Sequence, residues 1–472
     1  MIPYTTGQEW VIYLVAIPVA LLVISGILST FSKSSRLPFI LTAALLAVSA
    51  MSSLYIAYTG VAFPLIHVLQ VNSFGSLLFG FLAFGMFMVE LISYKHTESL
   101  QHFNMLLSFV AFGAFLVTYA YSMIAILAGI ETVILATAFM ILISGKKYVE
   151  PALKLFLLGA IATAIFTMAL ALLFPYDSAL SLTQIASLPA GKFLFGLSLV
   201  LFVAALSVES AGFPFNFWIP DVYEGAPGNI TALLAGVNKK IAFIAILEIL
   251  ASVFAFYGSL GGSALYSHVM LIVATLTMFF GNLAALAQKS VKRLLAYSSI
   301  SQAGYIFIGI ASATHLGIEA SIFYIIAHMF MIIGAFAIVF WLESNNARTL
   351  DEYSGLYGRN SFAAIGLTVL MLSMAGIPPL VGFAGKFLLF SSAVYANQAY
   401  LAFIGIVNSF ISIYYYAKVI NQMFQRKEAK RLYLDKNIAI VLGISIVFVI
   451  IIGIYPQSMI SLASAAASAL GI

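Results

Sequence analysis

Stretches of about twenty apolar residues follow one another along this 472-residue chain, parted by short loops. A hydrocarbon layer about 30 Å thick takes roughly 20 helical residues to cross. On that ruler fourteen spans are expected, near 8–30, 38–58, 75–94, 103–120, 122–143, 152–174, 192–213, 231–254, 265–287, 293–313, 318–342, 362–395, 399–424 and 437–455. Charged residues make up 8% of the chain and hydrophobic ones 63%, whereas a soluble domain carries about 25% charged residues. The expected fold class is therefore all-α, a polytopic membrane protein with about 14 transmembrane helices. The first stretch begins near Gln8 with no basic leader and is expected to be a retained helix, not a signal peptide. No cysteine is present, so thiolate metal sites, iron–sulfur clusters and disulfides are excluded for this chain.

The spacing of bases tests the count, because short cytoplasmic loops collect Lys and Arg. Loops after the first, third, fifth, ninth, eleventh and thirteenth spans hold fifteen of the 21 bases, and loops on the other side hold Lys192 alone. The other five, Lys154, Lys239, Lys240, Lys386 and Lys418, fall within apolar stretches. This alternation places both termini on the non-cytoplasmic side of a cell membrane. The net charge of +5 thus reports orientation more than a taste for acidic partners. One loop departs from the pattern: the one after the seventh span carries Asp221 and Glu224 on the cytoplasmic side with no base.

Two stretches cannot be plain spanning helices. Between Glu209 and Pro227 the chain gathers Pro214, Pro220, Trp218 and three carboxylates, and a proline removes a backbone donor and crowds the preceding turn. The helix arriving from Phe193 is expected to break near Ala211–Pro214. Ala211-Gly-Phe-Pro214 is echoed 164 residues later by Ala375-Gly-Ile-Pro378, followed by Pro379, inside the overlong twelfth span. Five spans separate the two, an odd number, so the copies face opposite ways. That is the arrangement of inverted repeats, whose interrupted helices point to an ion or substrate site. The plain alternatives are a proline-rich turn at the membrane surface and a chance four-residue match.

Ionisable residues also stand where lipid disfavours them: Glu131, Lys154, Glu209, Lys239, Lys240, Glu248, His328 and Lys386. A charge at the bilayer centre costs from about 2.5 to more than 10 kcal/mol, so such residues turn to a bundle interior or a wet cavity. Acids and lysines that gain and lose charge near neutral pH, bridged by water, form a proton relay, and arginine does not suit that work. Lys154 and Lys418, near span ends, equally suit a snorkelling role, and His328 equally suits a packing role.

The segments Trp218–Pro227, Gly281–Gln288, Lys292–Ile300 and Gly376–Lys386 resemble the antiporter-like membrane subunits of respiratory complex I, above all subunit N, called subunit 2 in mitochondria. The resemblance runs over nearly the whole chain. It extends to F420H2 dehydrogenases, membrane-bound hydrogenases and Mrp-type sodium/proton antiporters. It implies that Glu131, Lys239 and Lys386 are the acid and the two lysines of a proton path, with Lys154 and Lys292 at further basic positions. The chain departs from the family pattern at Glu209, where a lysine is usual, and at Asn216, Gln302 and Glu248. Glu209 would then face the like charge of Glu131. It is expected instead to pair with Lys239 or Lys240, leaving Glu131 protonated or satisfied by Lys154.

The organisation this implies is helices 1–4 over residues 1–121, the rest of a first repeat over 122–254, a second inverted repeat over 265–424, and a last helix and tail over 425–472. The two repeats have five helices each and are interrupted in helices 7 and 12. Residues 457–470 are expected to form a short surface helix with its serines on one side. The expected function is proton translocation as a non-redox subunit of a redox-driven quinone oxidoreductase-type complex. Its expected partners are other membrane subunits, the lipid bilayer, and protons and water, with sodium as a second candidate ion. No cofactor, metal or nucleic acid is expected on this chain. The alternatives are a multisubunit sodium/proton antiporter without redox partners and a structural subunit that has lost pumping.

Overall fold

The structure is a computed structural model and describes residues 10–32, 36–97, 99–175, 180–182, 192–249, 263–426 and 431–471. Twelve helices among them are long and apolar enough to cross a membrane, and the chain is an all-α polytopic membrane protein. In order, the helices are α1 (Trp10–Ser29), α2 (Arg36–Thr59), α3 (Ser73–Ser93), α4 (Leu100–Thr118), α5 (Met123–Ile143), α6 (Val149–Leu173) and α7 (Lys192–Ser210). There follow the short α8 (Trp218–Gly225), then α9 (Gly228–Ile249), α10 (Ser263–Leu286), α11 (Val291–Ala311) and α12 (His315–Ser344). The divided pair α13 (Ser361–Ala375) and α14 (Val381–Tyr395) precedes α15 (Ala399–Phe424), α16 (Lys436–Ile454) and the expected terminal helix α17 (Gln457–Ser468).

One element was not foreseen. Phe63–Ile66 and Leu69–Val71 form an antiparallel hairpin. It answers the abrupt junction between α4 and α5: Gln70 N donates to Tyr119 O and Tyr121 N to Val68 O, both at 2.8 Å. A chain that leaves one helix and starts another within a few residues strands backbone polar groups, and the hairpin satisfies them.

The chain forms two compact units, and it does not fill them in chain order. The first takes Met1–Ser210, Asn238–Val269 and Ser461–Ile472, the second Ala211–Val237 and Met270–Ile460. The crossings at Ser210/Ala211 and Val237/Asn238 thus fall within the expected segment 122–254. In the first unit α1 to α7 pack largely on their chain neighbours, and Lys239–Ile246 of α9 packs against α4, α5 and α7. The second unit is built around α12, whose apolar central stretch is buried throughout, as a helix with no broad polar face must be. Against it pack the first turns of α9 together with α11, α13, α14 and α16.

Both expected interruptions are present. α7 stops at Ser210, Ala211 takes a left-handed φ of 77°, and Pro214 lies in the turns that follow. Pro220 sits in the first turn of α8, where its missing N–H would have found no partner. α13 ends at Gly376, whose φ of 92° only glycine adopts readily, with Gly376 N and Ile377 N both donating to Leu372 O. Pro378 and Pro379 then carry the chain to α14.

Candidate ion path

Lys386 projects from the second turn of α14 back towards the end of α13. Its Nζ donates to Ala375 O at 3.2 Å and to Ser409 Oγ at 2.9 Å, and it lies 4.3 Å from the centre of the Tyr305 ring. Ala375 is the last residue of α13, so its carbonyl belongs to the negative end of the helix dipole, which favours a cation. The side chain is 3% exposed, and no carboxylate stands within 4.0 Å of its nitrogen among the described residues. A cavity of about 340 Å³ adjoins it, walled chiefly by Phe383, Phe387, Phe390 and Phe410.

From Tyr305 a buried polar network continues. Asn282 Nδ2 donates to Asn408 Oδ1 at 3.0 Å, and Tyr415 OH donates to Asn282 Oδ1 at 3.0 Å. The Tyr415 and Tyr416 rings lie 4.5 Å apart, Tyr416 OH shares a hydrogen bond with Ser298 Oγ, and Gln302 Nε2 donates to Tyr416 OH at 3.2 Å. Tyr324 OH closes the line by donating to Gln302 Oε1, and one turn on its ring stacks on that of His328 at 6.3 Å. The structure therefore brings Lys386 and His328 to the two ends of one set of hydroxyls and amides. A phenol or serine hydroxyl both gives and accepts a hydrogen bond, so it can sit in a proton relay without changing net charge. Gln302 lies at the middle of this line.

Lys292, at the start of α11, donates to Glu343 Oε2 at 3.0 Å and to Ala226 O at 2.7 Å. Its neighbour Arg293 bridges Asp221 at 2.9 Å and Glu224 at 2.8 Å, which fastens α8 to α11. Arg293 accounts for the acidic loop that broke the charge alternation: both of its acids meet this one base carried by α11.

In the first unit Glu131 of α5 accepts a short hydrogen bond from the Thr163 hydroxyl of α6. Glu209, the penultimate residue of α7, is half-buried, and the charge that bears on it is that of Glu131. The expected pairing of Glu209 with Lys239 or Lys240 does not form: no ion pair joins them among the described residues. Both lysines are buried within the unit, where α9 meets α4, α5 and α7. Lys154 does not reach Glu131 either. It pairs with Glu150 at 2.8 Å, and the reason is helical: Lys154 and Thr163 are nine residues apart, about 180° around α6 at about 100° per residue. A helix that turns Thr163 to Glu131 turns Lys154 away. Just before the lysines, Asn238 Nδ2 donates to Thr137 Oγ1 at 2.6 Å. Glu248 is buried, and its Oε1 has no hydrogen-bond partner among the described residues.

Sequence reasoning missed Glu90, Glu343, Asn282 and Ser409. Glu90 is buried in α3, and the Asn104 amide of α4, turned so that its nitrogen faces the carboxylate, donates to both oxygens at 3.0 and 3.1 Å. It carried the signal that marked Glu131, a lone carboxylate in an apolar stretch. Glu343 was hidden because the eleventh span was expected to end at 342, whereas α12 runs on to Ser344.

The sequence profile of the family described as NADH:quinone oxidoreductase/Mrp antiporter, TM, matches residues 120–412. The chain belongs to this family. Within this antiporter family it is 35% identical over 370 residues to NADH-quinone oxidoreductase subunit N of Desulforamulus reducens, covering 76% of each chain. It is 34% identical over 406 residues to F(420)H(2) dehydrogenase subunit N of Methanosarcina mazei, covering 81% of each. The fold matches a chain of respiratory complex I from Thermus thermophilus with a TM-score of 0.83 and 27% identity, over 95% of this chain and 99% of that one. The antiporter profile takes in both interruptions, the Glu131–Thr163 contact and Lys386, and leaves α1–α4 and α16–α17 outside.

Proposed function

We propose that this chain moves protons across a cell membrane as a non-redox, antiporter-like subunit of a redox-driven respiratory complex of the quinone oxidoreductase type. The observation that carries this is Lys386: a buried amine at a helix break, held by a backbone carbonyl and a serine with no acid beside it among the described residues. Such an amine can be charged or neutral according to what reaches it, and hydroxyls and amides run from the Tyr305 ring beside it to Gln302 and Tyr324, whose ring stacks on that of His328. The relatives are named as subunits of NADH-quinone oxidoreductase and F(420)H(2) dehydrogenase, which favours membrane subunits as partners and their redox chemistry as the energy source. The distribution of bases favours termini on the non-cytoplasmic side.

The path proposed here comprises Glu131, Glu209, Lys239 and Lys240 in the first unit and Lys292, His328 and Lys386 in the second. The second unit has the better case, because the acid near Glu131 in the first is another acid, Glu209. Lys154, paired on the surface of α6, serves this reading least. The test is Lys386→Met in the assembled complex reconstituted into vesicles. A fall in protons moved per electron, with assembly kept, supports the reading, and an unchanged ratio refutes it.

A further inference from the structure

One end of the second unit holds a cavity of about 250 Å³ lined by Glu224, Ser290, Lys292, Glu343, Arg348 and Thr349 among others. Exposure grades across it in one direction. The Arg348 side chain is 68% exposed, that of Glu343 22%, and that of Lys292 6%. Glu343 is divided between the two bases: Oε1 lies 3.7 Å from Arg348 Nε, and Oε2 lies 3.0 Å from Lys292 Nζ. One oxygen of a single carboxylate thus faces an exposed guanidinium at the cavity and the other a buried ammonium beneath it.

The two bases are not equivalent. A guanidinium keeps its proton at any useful pH, while a lysine in a buried site can release one. Glu343 can therefore exchange a proton with Lys292 but not with Arg348, which keeps its own. Among the described residues, Glu224 of α8 also bears on Lys292, and Tyr353, in the loop after α12, stands within the field of Glu343. Glu224 is held by Arg293 at 2.8 Å, which keeps it as a structural acid. Lys292 also donates to Ala226 O, in the two-residue link between α8 and α9.

We propose that Glu343 is the acid at which protons from the aqueous face are taken up, and that it delivers them to Lys292. The inference rests on the proton-translocation reading above. When a group further along the path has taken the Lys292 proton, the Glu343 carboxylate takes the proton of a hydronium ion reaching the cavity from the aqueous phase, leaving water, and becomes a carboxylic acid. That acid then gives the proton to the neutral amine, which restores the carboxylate and the ammonium. Charge and protons balance, and no other reactant is needed.

The rival account is a structural ion pair, and the two separate in the assembled complex. Removing one member of a buried pair strands the other, whereas neutralising both is often tolerated. The variants are Glu343→Gln, the double variant Lys292→Gln with Glu343→Gln, and Lys386→Met as reference, each scored for assembly and for protons moved per electron. Loss in the double variant of the same share of translocation as in Lys386→Met, with assembly intact, is the expected result. Full translocation in the double variant overturns the proposal while Lys386→Met still pumps poorly. Full translocation in Lys386→Met as well marks failure of the underlying functional reading instead. Should the glutamine variants not assemble, the unaltered complex decides. A water-soluble carbodiimide should modify Glu343 with parallel loss of translocation, and an unmodified Glu343 overturns the proposal.

Discussion

The Lys386 ammonium donates to the carbonyl oxygen of Ala375 across the break between α13 and α14, and Ser409 Oγ donates to the same carbonyl at 3.1 Å. One exposed helix end is thus closed by a titratable group carried on the next helix. The protonation state of that amine and the closure of the break are linked, because a neutral amine is the weaker partner for the negative end of a helix.

Lys386→Arg separates charge from proton transfer. Arginine keeps the cation and its donors at the end of α13 but does not release a proton. The variant is expected to assemble and to melt close to the unaltered protein, while translocation falls as far as in Lys386→Met. Equal translocation by the arginine and the lysine proteins would show that Lys386 acts as a fixed charge.

Glu131→Gln keeps an oxygen for the Thr163 hydroxyl and removes the titrating group. Net hydrogen-bond contributions are about 1 kcal/mol, so assembly is expected to survive and translocation to drop. Glu209→Gln relieves the like charge near Glu131 and is expected to lower translocation without blocking assembly. Vesicle measurements of both variants that show no change would leave the first unit without a working path.

Gly382→Ala tests the packing at the second break. A Cβ there would lie 1.8 Å from Ser373 O, and Gly382 N donates to Ser373 Oγ at 3.0 Å. Relief requires backbone to move, at a cost of about 3 kcal/mol. Gly443→Ala on α16 meets nothing within 4 Å and should be neutral or stabilising by up to about 1 kcal/mol. Thermal melting in detergent should show the first variant falling well below the second.

Acid should loosen the turn at Leu350–Tyr353. Glu352 accepts from Arg348 N and Thr349 N, both at 2.7 Å, and these backbone bonds hold its carboxyl below the usual glutamate range. Because the folded value is depressed, the contribution is present above the unfolded value of about 4.3 and is lost as pH falls through the folded value. Hydrogen exchange at the Arg348 and Thr349 amides should report the loss below about pH 4. The Glu352→Gln variant should show no such step.

Much of the architecture was legible because apolarity is local and additive. Each run of apolar residues reports its own burial, and Pro214, Pro378 and Pro379 report broken ladders without help from distant residues. Pairings were not legible, because they depend on the azimuth of each helix. Lys154 looked available to Glu131 until α6 was seen to turn Thr163 there, and Glu209 looked available to Lys239. Ser298, Asn282, Tyr416 and Ser409 belong to common residue types with no mark of a shared network, and only the packing of α10, α11 and α15 brings them together. The hairpin at Phe63–Val71 escaped because four- and three-residue strands beside long apolar runs leave almost no periodic signal.

The π turn at Leu234–Asn238 stands directly before Lys239 and Lys240. A π turn holds one residue more than the α turn it replaces, and neighbours on an α-helix stand about 100° apart. Were that surplus residue passed along the helix beyond the lysines, the residues it passed would rotate by one position, and the first amine would come to the bearing held by the second. Adjacent lysines after such a turn are like successive teeth on a ratchet. A small exchange of backbone hydrogen bonds would present one or the other to the same neighbours, with neither side chain needing a new rotamer.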